Sequence, residues 1–187
     1  MPPKVKITKE DIVKTAIELV REQGENAINA RAVASALNCS TQPIFSNFAT
    51  MDELRDAVVA ESYLRYLGFL NDEAERGLYP PYKAFGMAYI KFACEEKELF
   101  KLLFMCERHG ENISFSTDFN ASVEMIMEAN KVSKEKAQLM HLEMWTCVHG
   151  IATMMATSFL SLEWDLISGI LSDVYHGIRS RQLAEEK

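Results

Sequence analysis

Residues 29–48 (Asn-Ala-Arg-Ala-Val-Ala-Ser-Ala-Leu-Asn-Cys-Ser-Thr-Gln-Pro-Ile-Phe-Ser-Asn-Phe) read as two short helices joined by a tight turn. Asn29 is suited to cap the first helix, and Val33, Ala34 and Leu37 give it a small apolar face. Asn38 can take the left-handed conformation that ends a helix where glycine is absent. Ser40 is then the expected cap of the second helix, and Pro43 is tolerated within its first turn. Ile44, Phe45 and Phe48 are expected to anchor that helix inward, leaving Thr41, Gln42, Ser46 and Asn47 facing out. A second helix held this way is a means of reading a DNA major groove. Taken alone, the stretch fits an ordinary helical hairpin in a core as well.

The flanks narrow the choice. Thr8-Lys9-Glu10-Asp11 has the form of a capping box with aspartate in the glutamate position. The amphipathic run Ile12, Ala16, Ile17, Leu19, Val20 follows it and stops at Gly24. Thr50-Met51-Asp52-Glu53 is a second capping box, opening a long helix through Leu54, Val58 and Val59. The order is long, short, short, long.

The stretch from Ile7 to about Val59 resembles the N-terminal domain of the TetR family of transcriptional repressors. The residues that carry the resemblance are Ala16-Ile17-Glu18-Leu19, Gly24, Arg31-Ala32-Val33-Ala34, Asn38-Cys39-Ser40, Ile44-Phe45-Ser46-Asn47-Phe48 and Asp52-Glu53-Leu54. Further on, Trp145-Thr146-Cys147-Val148-His149-Gly150 resembles the Trp-x-x-x-His-Gly signature of one C-terminal subgroup of that family.

Composition agrees with an all-α chain. The apolar share of 48% suffices for a packed core, and no alternating β-branched run is long enough to be a strand. Net charge is −7, but it is uneven: residues 1–48 carry six Lys/Arg against five Asp/Glu, leaving −8 to the rest. Only the N-terminal part is electrostatically fit to approach phosphate, and its affinity must come from placed contacts and dimerisation. Cys39, Cys94, Cys106 and Cys147 show no Cys-x-x-Cys spacing, so buried free thiols are expected, with a redox sensor as the other reading. No apolar segment resembles a signal peptide or a membrane span, which makes the cytoplasm the expected location and leaves no membrane partner.

Gly77-Leu78-Tyr79-Pro80-Pro81 breaks the long helix. Helices are expected at about 82–95 (apolar stripe Phe85, Ala88, Tyr89, Phe92, Ala93), at 99–105, at 118–129, from Ser133 to about Leu160, and from Leu162 or Glu163 to about Arg181. Residues 109–117 read as a loop, and Glu95, Glu96 and Glu98 as a solvated acidic turn. That gives about nine helices: a three-helix helix-turn-helix head over 1–50 and a helical effector-binding and dimerisation body over 51–187.

Gly150 and Gly169 lie inside the last two helices, where each costs about 1 kcal/mol against alanine. They imply close backbone approach, to a neighbouring helix or to a second copy. The apolar surfaces there are Met140, Met144, Cys147, Val148, Ile151, Met154, Met155 and Phe159, then Ile167, Ile170, Leu171, Val174 and Ile178. The resemblance implies a homodimer formed through these two helices; internal core packing is the alternative. Phe92, Phe100, Phe104, Met105, Met125, Met140, Met144 and Trp145 are candidates to line a small-molecule effector pocket, or are simply core. His109, His141, His149 and His176 lack metal-ligand spacing, and no nucleophile sits on an activated turn, so no metal, cofactor or catalytic set is expected.

The resemblance implies a repressor that a small, largely apolar effector releases from a double-stranded DNA operator. Thr41, Gln42, Ser46 and Asn47 become candidate base or phosphate contacts, with Gln42 suited to adenine and the Thr41 methyl to thymine. Arg31, Ser40 and Thr50 become candidate phosphate contacts. Phe45 falls in the same DNA-contacting set by position, yet stands where the family usually has tyrosine. Asn47 replaces a frequent histidine, and Met51 the lysine that commonly begins the fourth helix. These departures remove part of the backbone grip, and they define the rival reading: a ligand- or protein-binding module of this fold with weakened DNA binding.

Overall fold

The computed structural model describes residues 7–106 and 117–184. Among them are nine α-helices: α1 (Lys9–Gln23), α2 (Ala30–Ala36), α3 (Gln42–Asn47), α4 (Met51–Arg76), α5 (Pro81–Glu95), α6 (Lys97–Phe104), α7 (Thr117–Asn130), α8 (Lys134–Ala156) and α9 (Trp164–Ala184). A 3-10 turn spans Glu25–Ala27, and no strand occurs among the described residues. The all-α class holds. The loop expected at 109–117 falls outside the described residues except for Thr117, which opens α7. His109 lies outside them too.

Packing separates the described residues into two compact units. One comprises residues up to Leu67 with Glu96–Cys106; the other comprises Gly68–Glu95 with the residues from Thr117 onward. The α4 chain therefore runs through both, and α6 belongs to the same unit as α1, α2 and α3.

The first unit starts at a reciprocal cap. Thr8 Oγ1 accepts from the Asp11 amide at 3.1 Å, and the Asp11 carboxylate accepts from the Thr8 amide at 2.9 Å. That backbone bond, more than the Thr8 hydroxyl, holds Asp11 below its ordinary carboxylate range. Ile12, Ala16, Ile17 and Val20 are buried at the helical period, and Gly24 ends the helix at φ 80°.

The unit is tied by a group expected to be solvated. Glu96 is only 5% exposed, and its carboxylate accepts from Arg21 Nε at 2.8 Å and from Arg65 at 2.5 Å. One carboxylate at the start of α6 thus joins α1 and α4, and its hydrogen bond raises the Arg21 guanidinium further above its ordinary value. A buried carboxylate requires such partners, since an unpaired ion there costs several kcal/mol, of order 3–5. Glu98 does remain accessible, paired with Lys101 at 2.6 Å.

The second unit is built on α5, α7, α8 and α9. Gly86 is its tight point: an added Cβ would meet Val148 at 3.3 Å and Leu171 at 3.4 Å, so α8 and α9 both close on α5 there. Lys83 Nζ donates to Ser168 Oγ at 2.7 Å and Ser172 Oγ at 2.8 Å, binding α5 to α9. Phe119, Val123, Ile126, Val132, Ala137 and Met140 form a core between α7 and α8.

α8 ends earlier than expected, at Ala156 rather than about Leu160. Ser158 takes the left-handed conformation (φ 57°), and the amides of Ser158 and Phe159 return to Met155 O at 3.1 Å and Met154 O at 2.9 Å. This is a Schellman ending on a serine, which carries no glycine signal in the sequence.

Of the apolar residues on the last two helices, Met140, Met144, Val148, Ile151, Ile167 and Leu171 are core. Cys147, Met154, Met155, Ile170, Val174 and Ile178 are half-buried, and Phe159 is 75% exposed. At Gly150 and Gly169 an added Cβ would meet nothing within 4 Å among the described residues, so no described neighbouring helix accounts for those glycines. The cysteines are free, but they are not buried as expected: Cys39, Cys94 and Cys147 are half-buried and Cys106 is exposed. No described helix is long and apolar enough to cross a membrane.

Candidate nucleic-acid interface

The helical pair at 29–48 forms. Asn29 caps α2, its Oδ1 accepting from the Ala32 amide at 2.9 Å. Val33 and Ala34 are buried. Asn38 is left-handed at φ 52°, and the amides of Asn38 and Cys39 return to Ser35 O at 3.1 Å and Ala34 O at 2.9 Å. The turn is thus fixed by backbone bonds and one tolerant asparagine.

The cap of α3 falls one residue later than expected, at Thr41 rather than Ser40. Thr41 has helical dihedrals, and its carbonyl accepts from the Ile44 and Phe45 amides at 3.2 and 3.3 Å; its hydroxyl makes no capping bond. Pro43 sits in the first turn, where its missing amide costs little. Ile44 and Phe48, four apart, are both fully buried and seat the helix. Phe45 corrects the expectation of an inward anchor. It lies about 100° round the helix from Ile44 and is 51% exposed.

Glu53 fixes the segment that follows. The Glu53 amide donates to Thr50 Oγ1 at 3.1 Å, as in a capping box. The return bond reaches one residue further, to the Ala49 amide at 2.8 Å, while Lys9 Nζ approaches the other oxygen at 3.1 Å. The Ala49 bond first, and Lys9 second, hold this carboxylate below its ordinary range. Lys9 Nζ also lies 4.6 Å from the centre of the Phe48 ring. The start of α1, the end of α3 and the start of α4 are therefore bound together.

On the outward side Gln42, Phe45 and Ser46 are exposed, with Arg31, Ser40 and Thr50 exposed nearby. Thr41 and Asn47 are half-buried. Two of these side chains are already engaged. Ser46 Oγ donates to Gln42 O at 2.9 Å, and Asn47 Nδ2 donates to Pro43 O at 2.8 Å.

The eight candidate pocket residues divide between the units. Phe100, Phe104 and Met105 belong to the first, where Phe100 and Phe104 lie 5.4 Å apart and Tyr66 meets Phe104 edge-on at 5.1 Å. Phe100 is buried, whereas Met105 is exposed. Phe92, Met125, Met140, Met144 and Trp145 belong to the second; Phe92, Met140 and Met144 are buried, and Met125 and Trp145 half-buried.

Two tyrosine–histidine pairs in the second unit were not legible in the sequence, because their members lie 59 and 60 residues apart. Tyr82 and His141 share a hydrogen bond of 2.8 Å, and burial lowers His141 to about 4 while raising the Tyr82 phenol. Tyr89 and His149 share one of 2.9 Å, and Trp145 stacks on His149 at 4.8 Å. The Trp145 and His149 rings of the Trp-x-x-x-His-Gly stretch, four apart on α8, are therefore in contact. Among the described residues no group of three His, Cys, Asp or Glu is placed to hold a metal ion.

Residues 82–167 match the tetracyclin repressor-like C-terminal domain family. Over that segment, a little under half of its length, the chain is similar to the C-terminal domain of TetR-family regulators. Two solved structures share its fold along nearly the whole length. A TetR-like transcriptional regulator from Rhodococcus sp. RHA1 is 16% identical, covers 98% of both chains and gives a TM-score of 0.61. A TetR variant from Acinetobacter baumannii AYE, in complex with minocycline, is 16% identical over 97% of both chains with a TM-score of 0.51. No curated protein matches the chain. The matched TetR segment runs from Tyr82 in α5 to Ile167 in α9, and so includes both tyrosine–histidine pairs.

Proposed function

We propose that this protein is a dimeric repressor whose two α3 helices enter successive major grooves of a double-stranded operator. The observation that carries the reading is the two-sidedness of α3: Ile44 and Phe48 are fully buried, while Gln42, Phe45 and Ser46 face solvent on a framed helix. Gln42 is suited to pair bidentately with adenine, and Thr41 to lie near the groove beside it. Arg31, Ser40 and Thr50 would hold phosphates and set the register, with Asn47 at the margin of the set. Two heads of one dimer would sit about 34–36 Å apart, one helical turn.

Functionally, residues 1–50 would read DNA, and 51–187 would bind an effector and dimerise. Phe159, Leu160, Trp164 and Leu166, exposed where α8 gives way to α9, support pairing through these helices. So do Gly150 and Gly169, which have open space around them among the described residues. The effector would be small and largely apolar, meeting some of Phe92, Phe100, Phe104, Met105, Met125, Met140, Met144 and Trp145. It can release DNA only by binding the DNA-competent and DNA-free conformations unequally.

One observation favours the rival reading. Phe45 has no hydroxyl for phosphate, and the Asn47 amide is committed to Pro43, so the backbone grip is reduced. A gel shift with DNA upstream of the protein's own gene, at low salt, separates the two. The repressor reading expects a retarded complex that a candidate apolar effector dissolves; a folded dimer that retards no such fragment favours the binding module.

A further inference from the structure

We propose that Phe45 is a specificity-determining residue, its ring packing on the C5-methyl of one thymine in each operator half-site. The inference rests on the DNA-binding reading of α3 and adds what that helix selects. A lone exposed aromatic needs no explanation on an ordinary surface. Phe45 is placed otherwise: it is 51% exposed on the six-residue helix that Ile44 and Phe48 seat, one position before Ser46 and three after Gln42.

Its neighbours sharpen the argument. Ser46 donates its hydroxyl hydrogen to Gln42 O at 2.9 Å, and Asn47 donates its amide to Pro43 O at 2.8 Å. The outward face therefore offers the Gln42 side-chain amide and the Phe45 ring as its largest uncommitted features. A phenyl ring neither donates to phosphate oxygens nor pairs with the polar edges of guanine, cytosine or adenine. In the major groove the apolar base feature is the thymine methyl. Docking α3 strips water from the ring, and that desolvation is favourable where an apolar group meets it. At this position the chain exchanges a phosphate grip for discrimination.

The test starts from duplexes that the wild-type dimer enriches from a random pool. Each thymine of an enriched duplex is replaced in turn by deoxyuridine, which removes the methyl and leaves the pairing edge intact. One thymine per half-site should show a loss of about fourfold on replacement, the scale of one buried methyl group. Phe45→Ala should bind the parent duplex more weakly and be indifferent to that same replacement. Because the ring is exposed, the variant should fold, which a thermal melt checks. Three results would overturn the proposal. If no deoxyuridine weakens binding, the ring meets sugar or nothing. If Phe45→Ala keeps the methyl effect, another residue such as Thr41 reads the methyl. If no duplex is enriched, the DNA-binding reading of α3 fails and this proposal fails with it.

Discussion

In the unit that carries α1 to α3, helices are tied by one buried carboxylate shared between two arginines; in the unit of α5 and α7 to α9, one tie from α5 to α8 runs through a buried histidine that burial keeps neutral. Glu96 connects α6 to Arg21 on α1 and Arg65 on α4. Tyr82 with His141, and Tyr89 with His149, connect α5 to α8. The second unit does bury a carboxylate, Glu73, but its near partner is Arg76 on the same helix at 3.2 Å, with Lys91 at 4.0 Å. The difference teaches how each unit responds to insult. A buried charge makes its unit intolerant of losing partners. Buried neutral imidazole makes its unit intolerant of acid.

The largest effect expected follows from the charged tie. The double variant Arg21→Ala, Arg65→Ala leaves Glu96 buried without a cation and should destabilise the first unit by about 3–5 kcal/mol. Glu96→Gln should cost less, about 1–2 kcal/mol, because both arginines are partly exposed and can return to water. Urea melts of the two variants check this; equal losses would break the contrast.

Next comes the acid response of the second unit. His141 is neutral when folded, titrating at about 4 against 6.5 in the open chain. Between those values the unfolded chain takes up a proton that the folded chain refuses, so stability falls as pH drops from about 6.5 to 4 and levels off below. The full loss is about 3 kcal/mol. His141→Gln should remove most of that slope. Melts from pH 7 to 4 decide it, and a slope unchanged in the variant would assign the acid response elsewhere.

At the proposed interface, Gln42→Ala should lose about 1–3 kcal/mol of binding at one base position in each half-site and little elsewhere. Competition among single-base operator variants measures this; a uniform loss across sequences would demote Gln42 to a backbone contact.

The smallest effects compare two caps. Asn29→Ala removes a 2.9 Å cap bond from the seven-residue α2 and should cost about 1 kcal/mol together with DNA affinity. Ser133→Ala removes a 3.4 Å bond from the 23-residue α8 and should cost about 0.5 kcal/mol without touching DNA affinity. Thermal melts paired with binding isotherms separate the two.

Local chemistry was legible. The Thr8–Asp11 box, the Asn29 and Ser133 caps, the left-handed Asn38 and the break at Gly77–Pro81 all depend on residues within a few positions of one another. Nonlocal chemistry was not. Arg21 and Arg65 lie 75 and 31 residues from Glu96, and no spacing announces a pair at that range, so an acidic triplet reads as solvated. Phe45 misled because three aromatic or aliphatic residues in five look like one face, although a helix seats only the pair four apart. At the candidate site the pattern identified the outward residues, but it did not reveal that Ser46 and Asn47 bond to their own helix. The ending of α8 at Ser158 escaped for a related reason: a left-handed serine depends on the backbone around it, not on its own propensity.

The central claim is that α3 is presented twice, at a separation that suits one face of a duplex. Hydroxyl-radical footprinting of the chain on an enriched duplex tests it most directly. The account predicts two symmetric protected patches with centres about 34–36 Å apart along one face, both lost in Gln42→Ala at concentrations where the wild type is bound. A single patch, or continuous protection unaffected by that substitution, would contradict it.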